Sequence, residues 1–275
     1  MAALLALISS FLWGSADFDA GRLSKKHKPL VVLGLTQMCG LVAGIILVLI
    51  SGAWHAPHGY LLPGICAGIS GYLGLILLYI GLSTGRMGVV SPISSLSVLL
   101  PLSIALAAGE KVTTLGKWGI ALAVIGGFCA SGPELTRGVT AKPVLLGLGA
   151  ALGFGGALAF MAQGSESSAL MTMTTMRAAT LLITLVYLLR LGNVDGITKG
   201  DTPRLVAIGV ADFAANLLLG VATTKGLVSL AMVLGSLYPI VTALLAFKFL
   251  QERLHKIQYF GIVCAVAGVA IISAL

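Results

Sequence analysis

Residues Leu234–Ala274 read LGSLYPIVTALLAFKFLQERLHKIQYFGIVCAVAGVAIISA. An apolar run interrupted by Pro239 ends in the charged turn Gln251-Glu252-Arg253, and a second apolar run, spaced by small residues, follows at once. Pro92–Ser131 repeats the plan as PISSLSVLLPLSIALAAGEKVTTLGKWGIALAVIGGFCAS. Glu110 stands 142 residues before Glu252, and Gly119 and Gly126 stand the same distance before Gly261 and Gly268. One chain therefore carries the same helical hairpin twice, and an internal repeat of this length organises the reading of everything else.

Working outward from the hairpins, the composition requires lipid as solvent. Of 275 residues, 58% are hydrophobic and 9% charged, with a mean hydropathy of +1.05. Soluble domains are about one quarter charged, and no soluble core hides this much apolar surface. The net charge of +8 sits in short connections and forms no basic run interleaved with aromatics, which excludes a nucleic-acid partner. Cys39, Cys66, Cys129 and Cys264 lie singly inside apolar runs without a CxxC spacing, so they read as packing residues. The N-terminal MAALLALISSFLWGSADF lacks a basic n-region, and its Trp13-Gly14 is echoed 141 residues on by Phe154-Gly155. It reads as a first spanning segment, not a signal peptide.

About ten apolar segments are long enough to cross a bilayer, near 2–20, 30–50, 60–82, 88–108, 114–131, 143–163, 169–190, 204–223, 229–249 and 256–274. The fold class expected is an all-α integral membrane protein of two five-helix repeats, residues 1–137 and 138–275, around a central cavity. Five is odd, so the second repeat enters the membrane from the opposite side; inverted repeats of this kind place a site near the midplane between them. Odd-numbered connections hold 13 of the 17 Lys and Arg residues, including Arg22, Lys26, Lys28, Arg86, Lys199 and Arg253. Lys111, Lys117 and Lys225 lie on the other side. By this asymmetry the odd connections are cytoplasmic and both termini are outside.

The late-helix signatures AAGEKVTTLGKWGIALAVIGG and KFLQERLHKIQYFGIVCAVAGVAI, with LLALISSFLWGSADF and LYIGLSTGRMGVVSPISSL, resemble the EamA-like branch of the drug/metabolite transporter superfamily over essentially the whole length. The resemblance implies ten helices around a central cavity and export of amino acids or other metabolites. It also implies cytoplasmic termini, the opposite of the loop charges.

Ionisable groups inside a membrane are costly and mark function by default. Asp212 lies near mid-depth in the eighth segment with Asn216 four residues on, on one face. It is the candidate for proton coupling or for binding a cationic group, or else it is one half of an internal ion pair. Arg177 in the seventh segment, with Thr180 and Thr184 on its face, is either a clamp for a substrate carboxylate or the partner of Asp212. Asp17, with Trp13 on its face, stands in the first segment; Asp19 belongs to the neighbouring basic loop. Gln37 and Gln163 are polar at or near depth, where such residues commonly join helices. Tyr72, Tyr79 and Tyr238 are cavity-wall aromatics or plain packing. Ser94 and Ser95 in the fourth segment and Ser236, the repeat counterpart of Ser94, line a cavity or permit close helix approach. Pro92, Pro101 and Pro239 mark breaks in the fourth and ninth segments, at a binding region or a static kink. Glu110 and Glu252 sit at surface turns, where a carboxylate favours the start of the next helix.

No catalytic constellation, metal-ligand spacing, cofactor motif or phosphate loop appears. The expectation is a secondary transporter of the inner membrane, not an enzyme, working by alternating access without a cofactor. It would export amino acids or similar zwitterions, possible proton coupling included; the alternative is transport of organic or quaternary cations. Its partners would be the small-molecule substrate, the lipid bilayer and the proton, the chain acting as monomer or homodimer. The glycine-spaced fifth and tenth segments would support the cavity or form a dimer seam.

Overall fold

In lipid, every backbone N–H and C=O must be satisfied within its own segment, which leaves apolar spans little choice but helix. A computed structural model describes residues 1–24, 26–83, 90, 93–130, 141–191, 197–250 and 255–274, and no strand occurs among them. The helices are α1 (Ala2–Ser24), α2 (Pro29–Ser51), α3 (Leu61–Ser83), α4 (Leu99–Ala107), α5 (Thr114–Ala130), α6 (Ala141–Leu191), α7 (Thr202–Lys225), α8 (Val228–Gly235), α9 (Tyr238–Leu250) and α10 (Lys256–Ser273). A 3-10 turn, Leu96–Val98, runs directly into α4.

Six helical stretches are long and apolar enough to cross a bilayer, and Ile93–Ala107, Thr114–Ala130 and Lys256–Ile272 are shorter apolar helices. Elements and expected segments do not correspond one to one. The continuous run α6 covers two segments and breaks at Ser168, whose backbone is extended (φ −165°, ψ 110°). The Ser168 hydroxyl accepts the Met171 N–H at 3.3 Å, as an N-cap does for a new helix. A straight helix would hold residues eight apart at about 12 Å, yet a Cβ on Gly164 would lie 2.6 Å from the Thr172 side chain. The chain therefore reverses at Ser168, and the two halves of α6 run antiparallel. Conversely, the ninth segment is split into α8 and α9 at Ser236-Leu237. Pro239 has no N–H to offer the Gly235 carbonyl, so the α-helical ladder cannot continue through it. In the first repeat the 3-10 turn Leu96–Val98 stands just before Pro101, which likewise leaves the Ser97 carbonyl without its helical donor.

Packing follows small residues. α1 lies along α7, with the Ser9 hydroxyl donating to the Ala215 carbonyl at 2.7 Å. α3 lies along both halves of α6, where Gly74 meets Ala150 and Phe154 and Gly64 meets Thr172 and Thr175. Gly119 and Gly126 of α5 face Ile271 and Ala265 of α10, while Gly261 and Gly268 of α10 face Ala130 and Ala123. The two helices thus run antiparallel, with their glycine faces packed against each other. A Cβ on Gly268 would lie 2.6 Å from the backbone nitrogen of Ala123, and one on Gly126 would intrude on the Ala265 backbone. Gly126→Val is therefore expected to cost about 1–3 kcal/mol through overpacking, read as a fall in melting temperature in detergent. A variant as stable as the parent would show that these helices are free to separate.

At the first connection, His27 lies 3.4 Å from Asp201 at the start of α7. The Thr198 hydroxyl and N–H, with smaller help from His27 and Lys26, hold the Asp201 carboxyl below the usual carboxylate range. The four cysteines are free thiols.

Candidate functional site

A cavity of about 290 Å³ lies between the repeats. Its walls come from α1, α2, α3, both halves of α6, α7 and the broken regions at Ser97 and Ser236–Tyr238. The lining extends toward Ala20 and Ser24 at the end of α1, Val32 at the start of α2, Leu78 near the end of α3 and Ile208 near the start of α7. All of these lie toward the odd-numbered connections, so the cavity extends toward that side. Its opposite end is plugged by Met161, Met173, Leu219, Met232, Val233 and Leu234, each at most 1% exposed within one apolar cluster.

At mid-depth the charged groups assemble from four helices. Arg177 Nη2 donates to Asp212 Oδ2 at 2.6 Å. Arg177 Nη1 donates to Gln37 Oε1, and the Thr180 hydroxyl donates to the Arg177 carbonyl at 3.0 Å. Asp212 Oδ1 accepts from Trp13 Nε1 at 3.0 Å and from Asn216 Nδ2 at 3.3 Å. Asn216 also donates to the Asp212 carbonyl at 2.7 Å. Arg177 is 6% exposed and the Asp212 side chain 27%. This is a charge-assisted network in which both ions have several partners, the arrangement that offsets the cost of desolvation.

Asp17 stands apart from it. One helical turn beyond Trp13, it is exposed to the cavity and makes no hydrogen bond or ion pair among the described residues. Trp13 meets Tyr238 edge to face, with centroids 5.9 Å apart and planes at 70°. Tyr72 adds a third aromatic wall. Among the described residues the lining holds two carboxyl groups and one guanidinium, and Arg177 pairs with Asp212. The described carboxyl group left without a partner is that of Asp17.

Of the residues singled out in the sequence, the cavity brings together Trp13, Asp17, Gln37, Tyr72, Arg177, Asp212, Asn216, Ser236 and Tyr238. Ser94 and Ser95 are not among its lining residues; Ser97 takes that place. The Tyr79 side chain, Pro92 and Glu252 lie outside the described residues. Sequence reasoning also missed Thr36, Phe154, Met161 and Met176. Ser97 had a signal, since it sits 142 residues before Pro239 at the centre of the repeat. The methionines had none, being apolar residues in apolar runs.

The EamA-like transporter family profile matches residues 1–132 and again residues 141–274. The chain belongs to the EamA-like transporter family. It is a multi-pass membrane transporter of the drug/metabolite transporter kind, built from two repeats, and the family consists of transporters, not enzymes. No curated protein matches the sequence. A solved crystal structure of another protein is similar at 17% identity with a TM-score of 0.78, covering 98% of this chain and 95% of that one. At that identity the likeness concerns the fold alone.

Proposed function

We propose that this EamA-like transporter crosses the inner membrane ten times as two inverted five-helix repeats and moves small ammonium-bearing metabolites by alternating access. Amino acids and related zwitterions are the leading class, exported in exchange for a proton. The carrying observation is the unpartnered carboxyl group of Asp17 in a cavity whose other two described ionisable groups, Arg177 and Asp212, pair with each other. One monovalent cation, ammonium or proton, neutralises the site, so the two compete for one carboxylate. Trp13 and Tyr238 supply ring faces that attract an ammonium. A substrate carboxylate reaches Arg177 by displacing Asp212, because both ends of the guanidinium are engaged. Simple organic cations need no such displacement and form the second reading, favoured by that same engagement.

A transport panel in proteoliposomes tests both, using a zwitterionic amino acid, a quaternary amine and a monocarboxylate without an amine. Uptake of either amine-bearing probe, with the monocarboxylate inert, is the expected result. Preference for the amino acid over the quaternary amine shows that the Arg177–Asp212 pair opens to substrate. Transport of the monocarboxylate with both amines inert would overturn the ammonium site.

A further inference from the structure

α8 plugs the sealed end of the cavity, and it begins without a cap of its own. Leu227 precedes it in an extended conformation (φ −63°, ψ 125°) and offers no side-chain hydrogen bond. The first N–H groups of such a helix are orphaned unless something external meets them. Glu110 meets them. Its carboxylate oxygens accept the Ser229 N–H at 3.1 and 3.4 Å, and the Ser229 hydroxyl donates to it as well. Ser229 is fully buried. The negative charge also lies where the helix dipole favours it.

Two further features make this contact specific. Glu110 is aimed by the end of α4, where Gly109 takes φ 94° and the Glu110 N–H bonds the Ala105 carbonyl at 3.1 Å. A residue with a side chain resists that left-handed position, although a Cβ there would meet no neighbour. The contact also joins the two repeats across 119 residues of chain. Past it, Ala231, Met232, Val233 and Leu234 of α8 are at most 2% exposed.

We propose that Glu110 is a positioning residue of the transport cycle. It latches the plug helix α8 to the first repeat, and opening the sealed end requires that its hydrogen bonds to Ser229 break. The inference rests on alternating access, and it is independent of the substrate and of Asp17. The repeat counterpart of Ser229 is Met87, which has no hydroxyl to offer Glu252, so the sequence does not build this latch equally at both ends.

Thiol accessibility tests the latch without any substrate. The four native cysteines are first replaced by alanine or serine in the full chain, and single reporters are then introduced in detergent-solubilised protein. Ala231→Cys reports the plug; Ala20→Cys reports the open mouth. A hydrophilic maleimide is expected to label Ala20→Cys and spare Ala231→Cys when Glu110 is intact. With Glu110→Gln the plug reporter should label on the order of tenfold faster, the worth of one charge-assisted hydrogen bond, while the mouth reporter slows. Ser229→Ala should move both rates the same way by less, and Glu110→Asp should restore part of the protection. Reciprocal change is the signature, because general loosening speeds both reporters together. Unchanged rates in Glu110→Gln and Ser229→Ala, or acceleration at both reporters, would overturn the latch. Failure of amine transport leaves these rates untouched, so the two readings fail separately.

Discussion

Arg177→Ala is expected to cost about 3 kcal/mol of stability, the lower part of the range for removing one partner of a buried ion pair. Arg177 is 6% exposed and satisfies both Asp212 and Gln37. Without it, Asp212 keeps, among the described residues, only the neutral donors Trp13 and Asn216. A carboxylate at mid-depth then faces a low-dielectric surround with no counter-charge. Cavity water reaches part of the Asp212 side chain, which is why the cost falls short of that for a fully dry charge. The diagnostic is the double variant. Arg177→Leu combined with Asp212→Leu removes both charges and should recover most of the loss, because an ion pair exchanged for apolar groups of similar volume is near neutral. Melting temperatures of the two single variants and the double variant form the cycle. A double variant as unstable as the sum of the singles would show that the two side chains act independently.

That pair also marks where sequence reasoning stops. Local spacing makes Asp212 and Asn216 neighbours, and the structure has them bonded. Which residues cross from other helices is set by packing. Trp13 is 199 residues from Asp212, and Gln37 is 140 from Arg177. Nothing in either local sequence names the other. The sequence left Arg177 open between a clamp and a partner of Asp212; the contact at 2.6 Å makes it a partner in this conformation. The repeat was more legible, because close helix contacts need small residues at fixed spacing, and Gly119, Gly126, Gly261 and Gly268 carry that spacing into the α5–α10 interface. Segment boundaries were legible to the extent that turn chemistry announced them. Pro239 did so. So did the polar run Gln163–Ser168, which separates the segments 143–163 and 169–190 and holds the extended backbone of Ser168. The serines of the fourth segment were open between lining the cavity and packing, and among them it is Ser97 that lines it. A wheel drawn at 100° per residue does not hold through a 3-10 turn, where each residue advances about 120°, and Leu96–Val98 is such a turn. Glu110 was read as favouring the start of the next helix, yet it caps α8 in the other repeat.

Asp17→Asn is expected to abolish exchange without harming the fold, the reverse of the Arg177 pattern. Asp17 makes no hydrogen bond or ion pair among the described residues, so its charge holds nothing together. It lies within electrostatic reach of Asp212, and removing it relieves a like-charge repulsion. The melting temperature should therefore stay level or rise. The loss should appear in function alone. An ammonium bound to a carboxylate gains a charge-assisted hydrogen bond and a Coulomb attraction that a carboxamide withholds, so binding of an amine should weaken by roughly 100-fold. Proton counterflow, followed with a trapped pH indicator in proteoliposomes, should vanish with substrate flux, since one carboxylate serves both cations in turn. Asp212→Asn separates the two acids. It leaves Arg177 as a surplus positive charge beside the site, so amine transport should fall, and stability should fall with it because Arg177 loses its counter-ion. If Asp17→Asn transports amines at the parental rate, the free carboxylate is not the cation site. If proton counterflow persists while amine flux is lost, the proton travels by another group and the single-carboxylate exchange is wrong.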